Sequence, residues 1–125
     1  VVEESLMSCV LRLRRDAALL EDVLASVMQA TPARAGKSSD SVNVAVSEAD
    51  FTGLDTQIRD AIEFLRRNKA GLAGLRDAEA CLDFGVERRD VAVQTVRFPA
   101  ELLRLAGTLG ISIEVSLYPE MEGAT

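Results

Sequence analysis

Between Met7 and Arg14 apolar and polar positions alternate with a period of two. Met7, Cys9, Leu11 and Leu13 fall on one side, and Ser8, Val10, Arg12 and Arg14 on the other, the pattern of a half-buried strand. The period then changes. Leu19, Leu20, Val23, Leu24, Val27 and Met28 recur at helical spacing behind Asp16, a suitable N-cap, and predict a helix over 17–30. Thr31-Pro32 ends it, because proline biases the residue before it away from helical angles. The T-P-A-R-A-G-K-S-S-D stretch over 31–40 is small and polar and is expected to be a mobile loop.

Alternation returns at 41–47, with Val42, Val44 and Val46 facing inward and Asn43, Ala45 and Ser47 outward. Leu54, Ile58, Ala61, Ile62 and Leu65 form the stripe of a second helix, which Ser47 or Asp50 can cap. Arg66, Arg67 and Lys69 lie where cations complement the helix dipole. From Glu79, Ala80, Leu82 and Phe84 alternate with Cys81 and Asp83. The charged turn E-R-R-D then leads into V-A-V-Q-T-V-R-F (91–98), expected to return as a hairpin partner. Its phase is split, since Val91/Val93 and Val96/Phe98 both ask to be buried, and a bulge near Gln94-Thr95 reconciles them. Pro99 opens a third helix with the stripe Leu102, Leu103, Leu105, Ala106 and Leu109, and Gly110 stops it. The last strand sets Ile111, Ile113, Val115 and Leu117 against Ser112, Glu114, Ser116 and Tyr118, and 119–125 reads as a frayed tail.

The expected order is therefore β-α-β-α-β-β-α-β in one domain over residues 1–125. It describes an α+β fold: a five-stranded, mostly antiparallel sheet with helices on one face. Its last six elements follow the ferredoxin-like β-α-β-β-α-β order, with an N-terminal β-α added.

Composition narrows the chemistry. The chain carries 20 acidic and 14 basic residues, a net charge of −6, which argues against a nucleic-acid partner. Twelve of the basic residues are Arg, which together with abundant Ala, Leu, Val and Gly suggests a GC-rich bacterial genome. Histidine is absent, removing the commonest general base and metal ligand. No spacing suggests a metal or cofactor site, and none is expected. Cys9 and Cys81 are expected to be reduced thiols. No apolar run is long enough for a membrane span, and the acidic start V-V-E-E is unlike a signal peptide; a cytoplasmic protein is the expectation.

With helices on one face, the other displays Arg12, Arg14, Asn43, Asp83, Glu114, Ser116 and Tyr118 among small residues. It is either a solvated face whose charges pair across strands or a shallow binding surface for a protein partner or a second copy, with Tyr118 as anchor and the Arg residues as forks for a carboxylate. Catalytic options are weaker. Asp83-Phe84-Gly85 shares only its letters with the kinase metal-binding triplet, and Gly36-Lys37-Ser38 lacks the rest of a phosphate-binding loop. Asp83 and Glu114 form an acid–base pair only if burial separates their pKa values. Cys81 has no histidine to activate it.

From Ser41 onward, the helix L-D-T-Q-I-R-D-A-I-E-F-L and the close L-R-L-A-G-T-L-G-I-S-I-E-V-S-L-Y-P resemble those of small bacterial α+β domains of unknown function. Several of these resemble immunity proteins, which neutralise a toxin. The resemblance implies a non-enzymatic binding role and transfers no functional residue. The expected function is a protein-interaction domain, with an immunity-type acidic inhibitor as one form of it. A small-molecule sensing domain and a carboxylate-dependent enzyme are the alternatives.

Overall fold

The computed structural model describes residues 8–14, 33–35, 41–74 and 79–120. The expected helix over 17–30 lies outside them, as do Met7, most of the 31–40 stretch and the end of the tail. What is described is an α+β arrangement built on one mixed sheet. Its four long strands are β1 (Cys9–Arg14), β3 (Ser41–Ser47), β4 (Glu79–Glu87) and β5 (Ser112–Tyr118). A three-residue segment, β2 (Ala33–Ala35), extends the edge beside β3, so the order across the sheet is β2-β3-β1-β4-β5. Part of the expected 31–40 loop is thus paired strand. The described helices are α1 (Leu54–Arg67), the short α2 (Lys69–Ala73) and α3 (Ala100–Thr108).

The strands β2, β3, β1 and β4 pair antiparallel, whereas β4 and β5 are parallel. That parallel pair overturns the ferredoxin-like expectation. Residues 91–98 form no strand, because β4 has no edge to offer a hairpin: β1 occupies one side and β5 the other. The chain instead crosses over through α3 to re-enter beside β4, as parallel neighbours require. Gln94 fastens the start of the crossover, its Oε1 accepting from Arg89 N–H (2.9 Å) and its Nε2 donating to the Glu87 carbonyl (2.9 Å). The split phase of 91–98 is resolved by separating its halves. Val91 and Val93 stand exposed, while Phe98 packs on the core with its ring 4.9 Å from that of Phe84.

The three described helices cover the same face of the sheet. Ile58, Ala61, Phe64 and Leu65 of α1, Leu72 of α2, and Leu102 and Ala106 of α3 join Cys9, Leu11, Leu13, Val44, Leu82 and Phe84 in one core. Arg66 of α1 pairs with Glu101 of α3 across the helix surface. Helix α3 ends as its sequence predicts. Gly110 adopts φ 72°, Ile111 N–H reaches back to the Ala106 carbonyl (2.8 Å) and Gly110 N–H to that of Gly107 (3.1 Å). This is the paired-bond C-cap that the left-handed conformation permits. The expected caps of α1 are absent: Asp50 Oδ1 accepts from Thr52 N–H (3.0 Å) and Thr52 Oγ1, and the Ser47 hydroxyl donates to Asp60 of α1 (2.7 Å). Ser47 reaches that carboxylate because a bulge at Cys9/Val10 shifts the β1–β3 register, pairing Cys9 with Ser47 and Val10 with Ala45.

Candidate functional site

Strand alternation places Arg12, Arg14, Asn43, Asp83, Glu114, Ser116 and Tyr118 on the face opposite the described helices, as the sequence pattern predicts. Register then divides them. Asn43, Arg12, Cys81 and Ser112 form one row across β3, β1, β4 and β5, with Val10, Asp83 and Glu114 in the next. Ser116 and then Tyr118 follow Glu114 along β5, Tyr118 beside Glu87. The seven residues therefore make up two places rather than one.

The first place is centred on Asp83, and here the expectation of an exposed carboxylate fails. Asp83 is only 5 % exposed. Its Oδ2 accepts from Arg12 Nη2 (2.8 Å) and Nε (3.2 Å), and its Oδ1 accepts from the Ser116 hydroxyl (2.7 Å). A buried carboxylate is tolerable only when paired and hydrogen-bonded, and β1 and β5 supply those partners from either side. Arg12 keeps 45 % of its side chain exposed, and Arg14 and Glu114 are exposed. Between β1, β4 and β5 lies a shallow groove of about 570 Å³ lined by Arg12, Arg14, Glu79, Cys81, Ser112 and Glu114.

The electrostatics of this groove disfavour nucleophilic chemistry. The Cys81 thiol is pushed up to about 12, first by burial, then by the Glu114 carboxylate beside it, which accepts its hydrogen bond. Burial raises Cys9 as well, with Asp83 adding to it. Cys9 belongs to the helix-covered face and Cys81 to the other, so the sheet separates the two free thiols. With both Asp83 oxygens engaged by Arg12 and Ser116, the imagined Asp83–Glu114 acid–base pair has no free member inside the protein.

The second place is the far end of β5, and its main component was not foreseen. Phe51, in the β3–α1 connection, stacks on Tyr118 with ring centroids 4.4 Å apart and planes 12° apart. Gly85 makes this possible: a Cβ there would lie 2.7 Å from the Phe51 ring and 3.0 Å from the Ser8 carbonyl. Gln57 locks the same corner. Its Nε2 donates to the Gly85 carbonyl (2.8 Å), replacing a strand partner just where β1 begins. Tyr118 remains 37 % exposed.

Beside it, Val115 is 38 % and Leu117 57 % exposed, although both lie on the core side of the sheet, in register with Phe84 and Val86. The sequence pattern assigns them to the interior and gives no sign that β5 is an edge. A cleft of about 600 Å³ also opens near this end, lined by Phe51, Leu54, Val86, Val91, Val93 and Gln94.

Comparison with protein-family models, with curated proteins and with solved structures finds no match to this chain. No described helix is long and apolar enough to cross a membrane.

Proposed function

We propose that the chain is a non-enzymatic protein-interaction domain that binds through the β5 margin of its sheet. The observation that carries this reading is the pair Val115 and Leu117, left exposed on one face of a strand at the sheet's edge, with Tyr118 part-exposed on the other face of the same strand. Exposed apolar side chains and an amphipathic aromatic along one strand margin are the composition of a protein-binding edge. The expected binding face thereby moves. Arg12, Asp83 and Ser116 form an internal polar brace, and the contact surface is the far end and outer edge of β5, with Glu114 and Tyr118 retained in it.

The reading is tested by a photo-reactive amino acid at Leu117, compared with one at exposed Arg59 on α1. Protein adducts in cells at position 117 and none at 59 are expected. Equal labelling at the two positions, or none at 117, would remove the β5 margin as a binding surface.

The cleft by Phe51 and Val93 favours a second reading, small-molecule binding, because about 600 Å³ lined by both apolar side chains (Phe51, Leu54, Val93) and polar ones (Glu87, Arg89, Gln94) suits a small polar ligand. Fragment screening by NMR is then expected to shift the Val91 and Val93 signals specifically; a screen that leaves both in place counts against this reading.

A further inference from the structure

We infer that two copies of this chain join edge to edge, β5 against β5 and antiparallel about Val115, so that the sheet continues across a two-fold axis. The inference rests on the interaction reading above and specifies its occupant. Strand β5 is the last of the sheet, and among the described residues nothing pairs with its outer side. Seven residues long, with no proline and no basic side chain, it carries Glu114 as its single charge and lacks the other devices that keep an edge from pairing.

The backbone sets which positions can pair. Arg88 N–H donates to the Tyr118 carbonyl (2.6 Å), which turns Tyr118 toward β4. Alternation along the strand then points the N–H and C=O groups of Ile113, Val115 and Leu117 outward. An antiparallel pairing about Val115 uses all three. Val115 meets its own copy, Ile113 meets Leu117, Glu114 meets Ser116, and Ser112 meets Tyr118.

This register is self-complementary in three respects. Every side chain keeps its face, so the exposed Val115 and Leu117 gain an apolar row beside them. The only charge on the strand, Glu114, falls opposite the uncharged Ser116 and not opposite its own copy. All seven residues find a partner, as an isologous contact requires. Centring on Glu114 would set two carboxylates face to face and leave Leu117 and Tyr118 beyond the paired strand; centring on Ile113 or Leu117 would leave about half the strand unpaired.

Sedimentation velocity on the full chain over a wide concentration range tests this, with circular dichroism to verify folding. The wild type is expected to reach the mass of two chains. Val115→Lys and Val115→Glu, each alone, set like charges opposite each other and are expected to weaken association at least about a hundredfold. Mixing the two variants is expected to restore a dimer, because position 115 meets itself. A Val115→Lys dimer as tight as wild type, or no recovery on mixing, would overturn this register. A wild type monomeric throughout, whose Leu117 probe still labels another polypeptide, would overturn self-pairing and leave the interaction reading standing. Monomers with no labelling at all would remove both.

Discussion

Strands β4 and β5 lie side by side with the same alternation, and the structure treats them in opposite ways. Leu82, Phe84 and Val86 stand in register with Ile113, Val115 and Leu117. The first three are buried, whereas Val115 and Leu117 are open to solvent. The other face repeats the contrast: Asp83 is buried, and its neighbour Glu114 is exposed. Residue type does not account for the difference. Strand β4 has a strand on each side and α1 packed over it, whereas among the described residues β5 has one strand neighbour, and Val115 and Leu117 at its margin are exposed. A period of two reports which side chains share a face; it carries no information about what covers that face.

The sharpest way to break this comparison is to truncate both strands at the same level. Phe84→Ala is expected to lower stability by about 3–5 kcal/mol, as large-to-small changes in closed cores do. Val115→Ala, one strand away, is expected to cost less than about 1 kcal/mol at concentrations where the chain is monomeric. Urea denaturation measures both, and comparable losses would show that β5 is as well packed as β4.

Next in size is the polar pair. Arg12→Ala strands the Asp83 carboxylate with Ser116 as its remaining partner and is expected to cost about 3 kcal/mol, the low end for a broken buried pair because Arg12 is half exposed. Glu114→Ala is expected to stay within about 0.5 kcal/mol. Adding Asp83→Asn to Arg12→Ala removes the stranded charge and is expected to recover part of the loss; a double variant no better than the single one would mean that the carboxylate is not what Arg12 stabilises.

A smaller effect sharpens the view of the β5 end. Gly85→Ala pushes a methyl group against the Phe51 ring and the Ser8 carbonyl and is expected to cost about 1–3 kcal/mol, the range for overpacking. Tyr118 is the only tyrosine in a chain without tryptophan, so its fluorescence reports the stacking directly. An emission spectrum identical to wild type would show that Phe51 keeps its place.

Much of the architecture was legible where one periodic segment became one element. The alternation over Cys9–Arg14 and Ser41–Ser47, the stripe of α1 and the Gly110 stop all reappear. What failed was non-local. The 91–98 segment has strand-forming residues, but a strand needs an edge, and both edges of β4 were taken. Arg12 and Asp83 were correctly assigned to one face, yet only register shows that they touch, which turns an expected binding carboxylate into a buried one. Phe51 was invisible because its role depends on the missing Cβ of Gly85, thirty-four positions away.

The smallest expected effect probes the seam between the two strands, where the Cys81 thiol of β4 meets the Glu114 carboxylate of β5. Burial and that carboxylate raise the thiol from 9.0 to about 12. A thiol that keeps its proton longer in the folded chain stabilises fold fully below pH 9. The unfolded chain then loses its proton first, and this contribution declines as pH rises from 9 toward 12. The wild type is therefore expected to lose stability more steeply across that window than Cys81→Ser. Glu114→Gln removes one of the causes, so it should make the loss shallower and quicken alkylation of Cys81 by iodoacetamide at pH 8. Unchanged alkylation in that variant would mean that burial within β4 alone holds the proton, and that the exposed β5 carboxylate contributes nothing across the seam.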